Sequence, residues 1–354
     1  MNATVLSSLN SALYSMMGED ERVIVMGEDL LDPYGGAFKV TRGLSAKFPE
    51  RVFTTPISEA GFTGVAAGMA MRGLRPIIEI MFGDFLMLAA DQVLNYITKC
   101  EWMYNHQAQV PIVIRTPMGA RRGYGPTHSQ TLEKHFIGMP GLTVVAANMF
   151  SDPGTLLRAA TLEDDGPVLF IENKSLYSRP LRLPNADGRV DDAYARRSSG
   201  ERFPTVTLSF APFQSADVTL VAYGYMAELA LAAARVLMIE DEIVCEVVVP
   251  SRISPLDLSP ISESLARSGA LVACEEGTET AGWCAEVIAQ LCARHFSLLR
   301  SAPMRAAAAD LPIAGSRPLE TATLPQVEDL VRAARQVARP RRSLFAAGGN
   351  GQWN

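Results

Sequence analysis

Two acids, an aromatic and a histidine stand where apolar runs of this chain give way to turns. Glu28 follows "RVIVMG", Glu59 heads the run in "TTPISEAGFTGVAAGMAMRG", Phe85 follows "RPIIEIM", and His128 ends the loop "PMGARRGYGPTHSQ". Carboxylates so placed can hold or move a proton, an aromatic can stack on a planar ring, and histidine is the usual proton carrier near neutral pH. Each has a plainer reading. Glu59 suits the positive end of a helix, with Ser58 as cap. Glu28 suits a surface turn, and Phe85 an ordinary core position. His128 lies in a loop rather than on an apolar helix face, which weighs towards chemistry. The segment from Gly61 to Gly73 carries Gly61, Gly64 and Gly68 in a helical stretch, a cost to helix stability that close approach of a neighbour or ligand would explain.

The elements that must position these residues alternate. Strand patterns appear at Arg22–Gly27, Arg75–Met81, Val110–Thr116, Leu142–Ala147 and Pro167–Glu172, and helical patterns at Gly61–Arg72, Asp84–Tyr104 and Asp152–Glu163. Asp152-Pro153 is a helix start, the aspartate capping and the proline fitting the first turn. Alternation of this kind predicts a parallel sheet covered on both faces. Residues 186–214 are polar and aperiodic and are expected to link two domains. The alternation then resumes with "DVTLVAYG", "MAELALAAARVLM", "IVCEVVVP", "ALVACEE" and "AGWCAEVIAQLCARHF". The expectation is an α/β protein of two doubly wound parallel-sheet domains, 1–185 and 215–338, with a flexible tail at 339–354. Ligands of such sheets sit beyond the carboxyl ends of the strands, where the four residues above fall.

Composition excludes several classes. The 354 residues are 48% hydrophobic and 20% charged with a net charge of −6, so no basic face for nucleic acid is built up. Five cysteines, none in a C-x-x-C pair, and four histidines give no zinc pattern. Scattered thiols suit a reducing compartment, and with no leader pattern and no apolar run long enough to span a bilayer the expected location is the cytoplasm, with no membrane partner. There is no P-loop, no G-x-G-x-x-G between strand and helix, and no G-x-S-x-G elbow.

The stretches "TPISEAGFTGVAAGMAMRGLRPI", "DFLMLAADQVLN", "GPTHSQTLE" and "GPVLFIENKSLY", with "VTLVAYG", "SPLDLSPI", "LVACEEG" and "LETATLPQVEDLV" further on, resemble a known family over nearly the whole chain. It is the β subunit of the thiamine-diphosphate-dependent E1 component of 2-oxo acid dehydrogenase complexes, within the transketolase-like superfamily. The resemblance implies a pyrimidine-binding domain followed by a transketolase C-terminal-like domain. It implies that Glu59 bonds N1′ of the cofactor's aminopyrimidine and favours the tautomer that takes the thiazolium C2 proton. Phe85 would stack on the pyrimidine, Ile57 would share that wall, and Glu28 would be a second acid near the cofactor. His128 would serve the later transfer of the acyl group to a lipoyl arm. The superfamily's G-D-G motif, which fixes the cofactor diphosphate through Mg²⁺, is missing here. The resemblance therefore implies an E1 α subunit supplying that half in an α2β2 assembly, with a lipoyl-bearing acyltransferase (E2) as acceptor. It also implies a potassium ion on backbone carbonyls near Ile112 and Ala160. Arg121, Arg122 and Tyr124 stand where the family favours small residues, and Gly138 and Val144–Asn148 also depart from its pattern. A bulkier, basic loop suits a different 2-oxo acid, or a carrier protein of a specialised pathway as acceptor.

Overall fold

The computed structural model describes residues 3–191, 193–200, 202–211 and 215–338. The tail at 339–354 lies outside them. The chain opens with α1 (Val5–Glu19), capped by a reciprocal Thr4–Ser7 pair and burying Val5, Leu9, Leu13, Met16 and Met17 along one face. Strands β1 (Val23–Gly27), β2 (Val52–Thr54), β3 (Arg75–Glu79), β4 (Val113–Met118), β5 (Thr143–Ala146) and β6 (Val168–Asn173) then form a parallel sheet in the order β5-β6-β4-β3-β1-β2. Between them come α2 (Leu44–Lys47), α3 (Glu59–Met71), α4 (Cys100–Met103) and α5 (Pro153–Arg158). Strands β4 and β6 are buried along their whole length, as expected of a sheet covered on both faces. Helix α5 starts as the sequence predicts, the Asp152 side chain accepting from the Gly154 amide with proline in the first turn. It crosses α1 so closely that a Cβ on Gly154 would meet the Ser8 carbonyl at 2.7 Å.

The second half holds β7 (Tyr194–Ser199), β8 (Thr205–Phe210), β9 (Val218–Ala222), α6 (Met226–Asp241), β10 (Cys245–Pro250), β11 (Arg252–Ser254), α7 (Ser259–Ser268), β12 (Leu271–Thr278), α8 (Trp283–His295), β13 (Met304–Ala308), α9 (Arg317–Thr323) and α10 (Val327–Val337). Its sheet runs β13-β12-β9-β10-β8-β7. The first four are parallel, and β8 and β7 add antiparallel.

Three sequence expectations change. The stretch read as an aperiodic linker contains β7 and β8. Strand β7 is a polar edge that exposes Ser198 and Ser199, so it shows no apolar alternation to read. The second sheet is consequently mixed rather than purely parallel. The helix expected over Asp84–Tyr104 is broken into a 3₁₀ segment at Gly83–Ala89, a π turn at Gln92–Tyr96, a 3₁₀ turn at Ile97–Lys99 and α4. Gly83 packs against Met118, where a Cβ would meet the side chain at 2.3 Å, and Thr98 bonds back to the Leu94 carbonyl.

The halves are locked together. Strand β11 leaves the second half to pair antiparallel with β5. The Trp283 indole, fully buried, donates to the Ile253 carbonyl at 3.1 Å. Val221, Tyr223 and Leu271 share one apolar cluster with Ile80, Met118 and Ile171 of the first sheet.

Candidate active site

The carboxyl ends of β4, β3, β1 and β2 lie side by side, and each delivers one predicted residue. At the end of β1, Gly27 lies against β3, where a Cβ would meet the Glu79 carbonyl at 2.5 Å. The chain then turns outward, and Glu28 is buried with its Oε1 making no hydrogen bond. Burial first, then the charges of Glu59 and Asp29, hold the Glu28 carboxyl above its usual range. Glu59, 4% exposed, is the first residue of α3. Ser58 occupies the cap position but its side chain makes no capping bond, so the capping reading does not account for the Ser58-Glu59 pair. Ile57, just before this pair, is 85% exposed.

Past β3, Phe85 is half-buried in the 3₁₀ segment, with its ring edge-on to Phe82 at 5.8 Å and to His128 at 5.2 Å. The His128 ring also meets Phe82 edge-on at 4.8 Å, and Phe38 and Tyr124 close on Phe82 from other sides. Thr127 Oγ1 lies 3.0 Å from His128 Nδ1. The His128 carbonyl accepts at 2.6 Å from Lys174 Nζ, a fully buried amine just past β6, over the rings of Phe82 and Tyr124. Burial lowers the Lys174 pKa to about 8 against the pull of Asp84 and Glu276. Asp84 accepts through Oδ1 from the amide and side chain of Gln130, and its buried Oδ2 has no partner.

Phe85 and His128 are thus in contact, and Glu28 and Glu59 are electrostatically coupled. Ile112 and Ala160 stand apart. Ile112 precedes β4, at the opposite end of that strand from the His128 loop, and its carbonyl accepts from the Val168 amide. Ala160 lies in a π turn at Ala159–Glu163 flanked by carbonyls of Thr161 and Asp164 that accept from the Arg75 guanidinium.

Sequence reasoning passed over a buried ionic layer beneath the site. Arg115 donates at 2.7 Å to Glu79 and through two bonds to Glu172, which also accepts from Tyr177. Burial opposes the Arg115 charge, yet Glu172 and Glu79 hold its pKa above the usual value, while burial raises Glu79. The signal was available: Glu79, Arg115 and Glu172 each interrupt an otherwise apolar strand. Also missed was Glu133, buried at the domain boundary, bonded by the Tyr223 hydroxyl and with Oε2 unpaired. In the basic loop Arg121 is half-buried, while Arg122 and Tyr124 are exposed. Arg121 is spent on Glu276, the Pro325 carbonyl and the face of Tyr225, and Arg122 donates to the Lys174 carbonyl.

Comparison with known proteins identifies the domains and the family. Residues 2–180 match the transketolase pyrimidine-binding domain and residues 213–330 the transketolase C-terminal domain. The pyruvate dehydrogenase E1 component subunit beta-1 of Arabidopsis thaliana, a mitochondrial protein, is 39% identical over 94% of this chain and 88% of its own length. The pyruvate dehydrogenase E1 component subunit beta of Rickettsia felis is 36% identical over 95% of this chain and 98% of its own. In fold, the chain superposes on a split-gene transketolase solved as an inactive beta4 tetramer, with a TM-score of 0.72 at 24% identity over 96% of this chain and 99% of that one. The chain belongs to the family of pyruvate dehydrogenase E1 β subunits, built from a transketolase pyrimidine-binding domain and a transketolase C-terminal domain.

Proposed function

We propose that this chain is the β half of a thiamine-diphosphate-dependent 2-oxo acid dehydrogenase E1, which decarboxylates a 2-oxo acid such as pyruvate and passes the acyl group to a lipoyl arm. The observation that carries this is the row of strand ends presenting Glu28, Glu59, Phe85 and His128 on one edge. The residues fit the cofactor's pyrimidine half: a buried carboxyl oxygen of Glu28 has no partner among the described residues, and the half-buried aromatic Phe85 follows the neighbouring strand β3. When bound, thiamine diphosphate supplies the nucleophilic carbon and the electron sink for decarboxylation.

The chain's own part is proton handling and placement. Glu59 would hydrogen-bond a ring nitrogen of the cofactor's pyrimidine, and the neighbouring Glu28 carboxyl, raised by burial and by the Glu59 charge, would discourage a second negative charge there. Phe85 orients the ring. With Thr127 on Nδ1, the free nitrogen of His128 is Nε2, which can give or take the proton needed when the acyl group leaves. The diphosphate and its Mg²⁺ fall to an α subunit in an α2β2 assembly, and the potassium site belongs to the same proposal, at a π turn of the kind enriched at functional sites. With Arg121 committed to internal contacts, the loop gives no particular support to an acidic carrier protein, and a lipoyl-bearing E2 is the acceptor in this reading. No described helix is long and apolar enough to cross a membrane. The free cysteines support the cytoplasm within this proposal.

Native mass spectrometry of the tagged chain from its host tests the assembly: two copies with two of another protein and retained thiamine diphosphate are expected. A homodimer that holds the cofactor alone would end the proposal. In the assembled enzyme, Glu59→Gln should lower turnover by about a hundredfold or more with assembly intact.

A further inference from the structure

The loop carrying His128 does not hold its own shape. Its backbone is left-handed at Gly119, Arg121, Gly123 and Gly125, with φ of 92°, 71°, 69° and 78°. Arg121 is not glycine, and a side chain in that region persists only where surrounding contacts impose it. Left-handed residues recurring along a loop can turn its amides to one side and form a concavity that binds anions. Here the anions are carboxylates of the second domain. Glu320, 3% exposed on α9, accepts from the Arg121 amide at 2.8 Å and from the Gly123 amide at 3.2 Å through either oxygen. Glu276, 5% exposed on β12, accepts from the Ala120 amide at 2.7 Å and the Arg121 side chain at 3.3 Å.

We infer that Glu320, assisted by Glu276, is a positioning residue: its carboxylate is the resident anion of the loop's amide concavity, through which the second domain fixes His128 for reaction. This gives the C-terminal domain a direct part in the site, and it rests on the reading of His128 given above. Neither acid is placed to touch substrate. Each acts through backbone amides five to eight residues before the histidine. Alternative anchors exist further along, where Lys174 holds the His128 carbonyl and Asp84 the Gln130 amide. The first half of the loop, with Arg121 in its left-handed conformation, depends on the two glutamates.

The test uses the full-length chain, in whatever assembly it purifies, with Glu320→Ala and Glu320→Gln. Loss of a charge-assisted acceptor for two amides should raise tryptic cleavage after Arg121 or Arg122, read by fragment mass, by about tenfold or more in Glu320→Ala. Acetate or formate, occupying the vacated concavity, should return cleavage towards the wild-type rate and restore turnover in parallel, with kcat moving and KM holding. Glu320→Gln keeps one oxygen for the Arg121 amide and should fall between, and it decides the matter if the alanine variant does not fold. Cleavage no faster than wild type in both variants, or faster cleavage that acetate and formate leave unchanged, overturns the inference. Faster cleavage reversed by acetate with turnover untouched would uphold the anchoring and remove His128 from the reaction.

Discussion

The two acids, Glu28 just past β1 and Glu59 at the head of α3, are separated by their surroundings. Glu28 has an unpaired buried oxygen and a pKa raised by burial, Glu59 and Asp29. A carboxyl whose folded pKa is raised binds its proton more tightly in the native state. Its ionisation therefore costs stability as pH climbs from the unfolded value near 4.5 through the folded one. Glu28→Gln should then match wild type in unfolding midpoint at about pH 4 and exceed it at about pH 8, while turnover falls; equal midpoints at both pH values would contradict a destabilising carboxyl there. Glu59 and His128 were legible because each interrupts a pattern, an acid heading a glycine-rich helix and a histidine ending a loop. Lys174 was not legible. In "ENKSLY" it reads as a turn lysine, and only the fold puts its amine under the His128 carbonyl. The same is true of Glu320, some two hundred residues from the loop it holds.

At the scale of elements, the short turn Glu133–His135 joins the His128 loop to the second domain through the Glu133–Tyr223 bond. Burial, against the Tyr223 bond and with Glu275 and Glu276 adding to it, raises Glu133 to about 7. Folded Glu133 keeps its proton where the unfolded chain has lost it, so this carboxyl favours the fold below about pH 4.5 and the contribution disappears as pH rises to about 7. Glu133→Gln keeps an acceptor for Tyr223 and removes the buried charge. Urea unfolding should show the variant gaining on wild type between pH 5 and pH 8 by up to about 3 kcal/mol, and parallel pH profiles would refute the buried acid. Strands and capped helices of the first half were readable from apolar runs and from Asp152-Pro153. The broken segment after β3 was not, because its opening 3₁₀ segment answers to Met118 and Gln130, contacts made across the fold rather than along it. Strand β8 could have been read, since Val206 and Leu208 alternate with threonine and serine in "TVTLSF", but the polar β7 beside it hides the pairing.

At the scale of the molecule, β11, Trp283 and the shared apolar cluster fix the two sheets relative to each other, so the exposed apolar surface needs an explanation other than domain movement. Ile57 at 85%, Val65 at 58% and Met71 at 36% exposure line the outer side of α3 and its approach. Gly68 lies on that side too, with nothing within 4 Å of where its Cβ would be. A mid-helix glycine costs about 1 kcal/mol relative to alanine, and nothing inside this chain requires it. An assembly that brings another chain against α3 would require it, because small residues at helical spacing let backbones approach closely, and apolar surface of this kind marks interaction sites. The α2β2 reading therefore makes opposite predictions for one position in two states. In the isolated chain, Gly68→Ala should raise stability by up to about 1 kcal/mol and Gly68→Trp should still fold, since the space is open. In the presence of the partner, Gly68→Trp should abolish the heteromeric species in native mass spectrometry, while wild type retains it. A tryptophan variant that assembles normally would place the α3 face outside the interface and leave the glycine without a structural reason, and the partner would have to reach Glu59 from another side.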